Sequence, residues 1–253
     1  MTYIYASDPH GTGKPWIELI EKAKNKYKHA QIIFGGDYID GDKYSKETLD
    51  YIMNSVKNDH SIALLGNHEQ MMIDFINNTD YDSSELWIWN GGKTTIKSLL
   101  KRGYSRNIAR IKLKQTPYYE FIKTLKPMYM TKNMIFVHAG FDTEKEIQDK
   151  NYLLWARDEY FYENPNSHDK YKTFAHNNSN KVIISGHTPT CLITGKINNR
   201  IIEPPKTCPV LKIQYPNEKP RYFTDNGCHG IKEHTGNICI FDDNGTLLEV
   251  INN

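Results

Sequence analysis

Five short apolar runs in this chain of 253 residues each break off into a polar motif that carries a potential metal ligand. The runs are Tyr3–Ala6, Gln31–Phe34, Ser61–Leu65, Asn133–Val137 and Lys181–Ile184. Most of their residues are β-branched or large and apolar, and each run stops at a turn, which predicts buried strands. Helical spacing lies between the early runs. Lys14–Lys28 places Trp16, Ile17, Leu19, Ile20 and Ala23 on one face, and Ser45–Val56 repeats Leu49, Ile52, Met53 and Val56. Ser45, with Glu47 and Thr48 behind it, reads as the start of that second helix. Alternating strands and helices predict an α/β fold with its chemistry at the C-terminal strand ends. The stretch from about 80 to 127 reads as a helical, cap-like insertion in a single domain over 1–253. A later group at Arg221–Thr224, Ile238–Phe241 and Leu247–Ile251 predicts a closing meander.

Charge narrows the partners. Thirty-two basic residues against 30 acidic ones exclude a protein held to nucleic acid by global charge alone. The first residues, MTYIYASDPHG, lack the basic and apolar regions of a secretory leader, and no run approaches a membrane span. Cys191, Cys208, Cys228 and Cys239 form no C-x-x-C pair. They read as reduced thiols, and the expected location is cytoplasmic, without a membrane.

The five motifs are Ser7-Asp8-Pro9-His10-Gly11, Gly36-Asp37-Tyr38-Ile39-Asp40, Gly66-Asn67-His68-Glu69, Val137-His138-Ala139-Gly140 and Ser185-Gly186-His187-Thr188. A glycine after a strand end lets the backbone turn and leaves a short ligand side chain in a common crevice. Pro9 is expected to bias Asp8 toward an extended backbone. Carboxylates, imidazoles and one amide oxygen suit hard to borderline divalent cations. One zinc ion needs only three or four ligands. At least six candidates converge here, which points to two ions sharing a carboxylate. Such a pair, about 3.5–4 Å apart, can activate a water and clamp an in-line displacement at phosphorus.

The order D-x-H, GDxxD, GNHE, H-x-G, GHT resembles the calcineurin-like metallophosphoesterase superfamily, and GNHE with a final GHT resembles its phosphoprotein-phosphatase branch. The resemblance implies a layered αββα sandwich of two mixed sheets flanked by helices. It implies that Asp8, His10 and Asp37 bind one metal. Asp37, Asn67, His138 and His187 would bind the other, with Asp37 bridging. Manganese is the expected metal, with iron or zinc also fitting. His68 would protonate the leaving oxygen and Asp40 would orient it, while a metal-bridging hydroxide attacks phosphorus. Trp87-Ile88-Trp89-Asn90-Gly91-Gly92-Lys93-Thr94-Thr95 and Leu153-Leu154-Trp155-Ala156-Arg157 resemble elements of bacterial and lambda-phage-type serine/threonine phosphatases. That similarity implies that Arg157, with Asn67, contacts the substrate phosphate. Thr224-Asp225-Asn226-Gly227-Cys228 is similar to a turn of the same group.

One departure stands out. Where the resemblance places an arginine after the second motif, this chain has Gly41. No acidic residue occurs from Leu86 to Tyr119, and Arg102, Arg106 and Arg110 fall in that basic stretch. Either it is a solvated surface or one of these arginines reaches the phosphate. His229, near the C-terminal turn, reads as a surface histidine, with lining of the site as the alternative. The expected activity is therefore a phosphomonoesterase of the serine/threonine protein phosphatase kind, acting on a phosphorylated substrate. The alternatives are symmetrical diadenosine tetraphosphate hydrolysis and a nucleotide- or nucleic-acid-end phosphatase. The GHT ending counts against nucleases, and an inactive binding relative would be expected to have lost ligands.

Overall fold

The computed structural model describes residues 1–79, 81–231 and 233–252. Its strands are β1 (Thr2–Ala6), β2 (Gln31–Phe34), β3 (Ile62–Ala63), β4 (Met128–Met130), β5 (Met134–Val137), β6 (Val182–Ser185), β7 (Gly195–Ile197), β8 (Arg200–Ile202), β9 (Leu211–Ile213), β10 (Arg221–Phe223), β11 (Ile238–Asp242) and β12 (Leu247–Ile251). Its helices are α1 (Lys14–Lys26), α2 (Ser45–Asn58), α3 (Asn67–Asn77), α4 (Tyr81–Trp87), α5 (Lys93–Leu100), α6 (Arg106–Lys114), α7 (Pro117–Ile122), α8 (Lys150–Trp155) and α9 (Asp158–Phe161). No helix among the described residues is long and apolar enough to cross a membrane.

Ten of the strands form two mixed five-stranded sheets, ordered β12-β11-β1-β2-β3 and β4-β5-β6-β10-β9, and β7 pairs with β8 in a separate two-stranded sheet. Each five-stranded sheet has a parallel centre with antiparallel neighbours. In the first, β1, β2 and β3 run parallel and β11 joins β1 antiparallel. In the second, β5, β6 and β10 run parallel.

Strand periodicity explains the layering. Along β1, Tyr3 and Tyr5 pack with Phe136, Ile184, Tyr222 and Phe241 in a core between the sheets. Ile4 and Ala6 point the other way, into a second core with Trp16, Ile20, Leu49, Ile52 and Phe75 from the helices. Side chains alternate across a strand, so a strand covered on both faces reads as one continuous apolar run. The second sheet repeats the arrangement. Ile135, Val137, Ile183 and Phe223 meet Leu153, Tyr160 and Phe161 on its outer face. The result is the four-layer α/β sandwich expected.

Details differ from expectation. The closing meander does not exist. β10 lies in the second sheet between β6 and β9, whereas β11 and β12 complete the first. Three apolar runs in succession suggest a local meander, but a connection of irregular chain carries the backbone from one sheet to the other. Ser45 does begin α2, as expected, and its hydroxyl bonds Thr95 Oγ1 at 3.2 Å. Asp80, the first residue of the expected insertion, lies outside the described residues. Of the rest, Trp87, Ile96, Leu99, Leu113, Tyr118 and Ile122 join the helical side of the first sheet's core.

Arg221 is the largest charged group in the interior, 1% exposed. Its guanidinium donates to the carbonyls of Tyr160 (2.6 Å), Phe161 (3.3 Å) and Ala175 (2.6 Å). Burial lowers its pKa, although nearby Tyr160 opposes that. These bonds fasten α9 to the second sheet. Replacing Arg221 by Met keeps the apolar stem and strands the Tyr160 and Ala175 carbonyls, each costing about 1–3 kcal/mol, while Phe161 O keeps its bond from Ala175 N at 2.9 Å. Urea unfolding of Arg221→Met should therefore show a loss of about 2 kcal/mol or more, and an unchanged midpoint would refute that role.

Candidate metal centre

All five predicted motifs meet around the Asp37 carboxylate. Asp37 Oδ2 lies 3.6 Å from His10 Nε2 and 3.9 Å from His68 Nε2, and Oδ1 lies 3.3 Å from His138 Nε2. Two triads share it, Asp8–His10–Asp37 and Asp37–His138–His187, with each triad's ligand atoms within 4.8 Å of one another. Asn67 Oδ1 joins the second, 2.9 Å from His138 Nε2 and 3.0 Å from His187 Nδ1. All six of these residues are buried.

The turns that aim these groups are made by the site residues together with neighbouring glycines, Gly11, Gly36 and Gly41 having φ of 69°, 98° and 73°. Asp8, His10, Asp37, Asp40 and His187 all have positive φ, between 44° and 70°. The sequence reading assigned the sharp turns to neighbouring glycines. It also gave Asp8 an extended backbone because Pro9 follows, and φ of 54° corrects that. Long-range bonds override the local bias. Asp8 N donates to Gly36 O at 3.0 Å, and Asp8 Oδ1 accepts from His187 N at 2.9 Å. Asp and His tolerate the left-handed region better than β-branched residues do.

Glu69 ties two of the loops together. Its carboxylate accepts from the backbone N–H of Asp37 (2.8 Å), Tyr38 (2.8 Å) and Gly66 (3.1 Å). Burial, with Asp37 nearby, pushes its pKa up to about 7.

The donor set fits cations. His138 Nδ1 donates to Gly35 O at 2.9 Å, and His10 Nδ1 to Ile39 O at 3.2 Å. Those carbonyls hold a proton on each Nδ1 and leave Nε2, on the side of Asp37, as the nitrogen that can bind a cation. Asp8 Oδ2 is buried with no hydrogen-bond partner among the described residues. With its oxygen inward, Asn67 faces only other lone pairs. Turned about, its nitrogen would donate to Asp37 at 3.2 and 3.3 Å. A divalent ion removes the need to turn, because it satisfies the amide oxygen, the imidazole nitrogens and the carboxylate together.

Electrostatics agree. Burial would raise Asp37, but His138, His68 and His10 outweigh it and hold its pKa well below the usual carboxylate range. Burial and the neighbouring Asp225 push Asp8 well up. Burial opposes protonation of His138, yet Asp37 holds its pKa up at about 9. In the metal-free protein that proton stands where a cation would, so binding must displace it.

A second arrangement adjoins the first. His68 Nδ1 donates to Asp40 Oδ2 at 2.7 Å. Burial opposes protonation of His68, but Asp37 and Asp40 prevail and hold its pKa at about 9. Asp40 is fixed from the far side by Trp87 Nε1 on Oδ2 (2.9 Å) and Thr95 Oγ1 on Oδ1 (2.5 Å). The Trp87–Thr95 stretch can reach it because the helical line kinks at Ile88–Gly92 and Gly91 has φ of 103°. A Cβ at Gly91 would stand 2.9 Å from Gly41 N and 3.0 Å from Asp40 Cβ.

A cavity of about 230 Å³ opens over these groups, lined by residues that include His10, Asp37, Asn67, His68, Arg157 and His187. A larger hollow of about 430 Å³ lies by β9 and β10, but its lining, which includes Lys212, Glu218 and Tyr222, has no histidine. Arg157 makes no ion pair with Asp158 or Glu159. Its Nη1 donates to Thr188 Oγ1 at 2.6 Å, and Asp158 pairs with Lys172. All nine sequence-predicted site residues are thus gathered here.

Three residues that sequence reasoning did not assign also belong to the site. Asp225, in the Thr224–Cys228 turn, lines the cavity, and burial pushes its pKa up to about 6. Glu69 acts through the backbone, which no motif spacing reveals. His229 was read as a surface histidine. It is exposed, but it lines the cavity, with its ring centroid 4.7 Å from that of His10 and 5.5 Å from that of His68. The arginines of the basic stretch are engaged elsewhere. Arg106 pairs with Glu85 at 2.5 Å, Arg110 donates to Phe75 O at 2.9 Å, and Arg102 stacks on Tyr104. None of the three lines the cavity, so the expectation that one reaches the phosphate is corrected.

Residues 1–191 match the family model of the calcineurin-like phosphoesterases. No curated protein matches the chain. Among solved structures, a candidate diadenosine tetraphosphatase superposes with a TM-score of 0.58 at 12% identity, over 99% of this chain and 93% of that one. A cold-active protein tyrosine phosphatase gives 0.55 at 14% identity, over 100% and 80%. A metallophosphoesterase from Sphaerobacter thermophilus gives 0.51 at 13%, over 99% and 89%. Likeness at such identities establishes the fold.

Two metal-site outcomes are expected. Manganese-incubated protein should hold about two ions per chain by elemental analysis. His138→Ala should retain about one, on the Asp8–His10–Asp37 side, and Asp37→Asn should retain less than one. Full occupancy in Asp37→Asn would contradict the shared carboxylate.

Proposed function

The chain belongs to the calcineurin-like phosphoesterase family, and we propose that it is a phosphomonoesterase of the serine/threonine protein phosphatase type. The observation that carries this reading is the pair of triads sharing Asp37, with His68 held beside them by Asp40 at 2.7 Å. Asp8, His10 and Asp37 would hold one cation, and Asp37, Asn67, His138 and His187 the other. We take manganese as the resident metal, though iron and zinc suit the same donors. Bound there, the cations supply Lewis-acid polarisation of the phosphoryl group and activation of water.

The chain's own groups do the rest. His68, protonated and anchored through Nδ1, donates from Nε2 to the leaving oxygen. Asp40 keeps it charged and aimed, and Trp87 and Thr95 keep Asp40 from swinging toward the cavity. Arg157 offers a planar pair of donors to phosphoryl oxygens. Asn67, with its oxygen turned to the cation, presents Nδ2 to the same phosphate.

Cavity size supports a monoester. Sites that enclose a drug-sized ligand run to about 300–1,000 Å³. At about 230 Å³ this one takes a phosphate group and leaves the rest of the substrate outside, as a phosphorylated protein side chain would require. One feature favours diadenosine tetraphosphate hydrolysis instead. Trp89 is 79% exposed next to Asn90 on the cavity wall, and an exposed indole can stack a nucleobase.

Parallel assays on p-nitrophenyl phosphate, a phosphoserine peptide and diadenosine tetraphosphate, all with manganese, separate the readings. The peptide should be the better of the two biological substrates, and a strong preference for the dinucleotide would reverse the assignment. His68→Asn should lower kcat by about 10²–10⁴-fold with little change in KM. Asp40→Asn removes a charge that favours imidazolium. His68 should then lose its proton at lower pH, and the alkaline limb of the kcat profile should move down. A limb that stays in place would sink the role given to Asp40.

A further inference from the structure

Gly41 directly follows Asp40, and the space its missing side chain leaves is taken by an imidazole from the other end of the chain. A Cβ built on Gly41 would lie 3.1 Å from His10 Cβ and 3.4 Å from His229 Cδ2. Gly41 has φ of 73°, a conformation that suits glycine and strains larger residues. The backbone therefore keeps the position bare, and His229 covers it.

We propose that His229 is a substrate-binding residue whose ring N–H donates to a non-bridging phosphoryl oxygen, across the cavity from Arg157. This deepens, and rests on, the phosphomonoester reading above. Three observations support it. His229 lines the same cavity as Arg157, Asn67 and His68. Its ring lies edge-on to His10, with centroids 4.7 Å apart and planes at 77°, so its position is set by packing although it is exposed. Neither of its ring nitrogens has a hydrogen-bond partner among the described residues, whereas His10 and His68 each have Nδ1 bonded.

A different use of the same ring is a third cation, since His10, His68 and His229 each offer a nitrogen within 4.8 Å of the others. The geometry disfavours it. His10 Nε2 and His68 Nε2 are already directed toward Asp37, at 3.6 and 3.9 Å, and their Nδ1 atoms are engaged by Ile39 O and Asp40. That leaves His229 alone with unengaged nitrogens, and one imidazole with no carboxylate bonded to it is a poor cation site but a good anion contact. Arg157, between α8 and α9, lies against Thr188 of the loop after β6, and His229 lies against Gly41. Together they would hold the phosphate from two sides.

The test compares manganese-loaded wild type, His229→Ala and His229→Gln. It reads kcat and KM on p-nitrophenyl phosphate, orthophosphate affinity by calorimetry, manganese content and Tm. Loss of one such hydrogen bond should raise KM and the orthophosphate Kd of His229→Ala by about tenfold, with kcat within about twofold. Gln keeps an N–H donor and should recover much of the affinity. Manganese content should not change. Unchanged KM and Kd in His229→Ala would overturn the proposal. So would lost manganese, which would make His229 a metal ligand, or equal weakening in Ala and Gln with a lowered Tm, which would make it structural. If wild type hydrolyses no phosphomonoester, the phosphomonoesterase reading fails, and the orthophosphate Kd values still decide whether His229 binds phosphate.

Discussion

A carboxylate that is 2% exposed can remain ionised only if positive charge or strong donors surround it, and Asp37 meets that condition. His138, His68 and His10 converge on it, and the N–H of His68 donates to its Oδ1 at 3.0 Å. Those histidines follow three separate strands, His10 in the loop after β1, His68 in the first turn of α3 after β3, and His138 in the loop after β5. The two sheets must therefore approach closely enough to deliver them. The aromatic core between the sheets, with Tyr3, Tyr5, Phe136 and Tyr222, sets that separation.

Support extends outward from this centre in layers. Glu69 spends its carboxylate on the backbone of the Asp37 and Gly66 loops, so it shapes the site without facing it. The Trp87–Thr95 stretch does for Asp40 what Glu69 does for Asp37. It brings an indole N–H and a hydroxyl to a carboxylate that would otherwise have one partner. Side chains locked by such outer contacts are what let a site hold its geometry before a ligand arrives.

Much of this was legible in the sequence, for a physical reason. Strands covered on both faces must be continuously apolar, and ligands at their ends must be polar, so run and motif alternate visibly from Tyr3 to His187. What stayed hidden was long-range. The sheet to which Arg221–Phe223 belongs depends on a crossing of irregular chain that no local pattern encodes. Pro9 predicted an extended Asp8, and bonds to Gly36 and His187 prevailed. His229 was left between two readings, because a histidine in a polar turn looks the same whether it faces bulk water or a cavity. The arginines of α6 and the turn before it misled because charge composition does not say which carboxylate, carbonyl or ring will claim each one.

The left-handed backbone at Asp8, His10, Asp37, Asp40 and His187 has a further consequence. The alphabet available at these positions is cut twice. Coordination chemistry asks for oxygen or nitrogen donors, and handedness independently rejects the β-branched side chains. Aspartate, asparagine and histidine survive both filters, whereas threonine, although an oxygen donor, fails the second. The curvature of the main chain thus selects the ligands before any ion does.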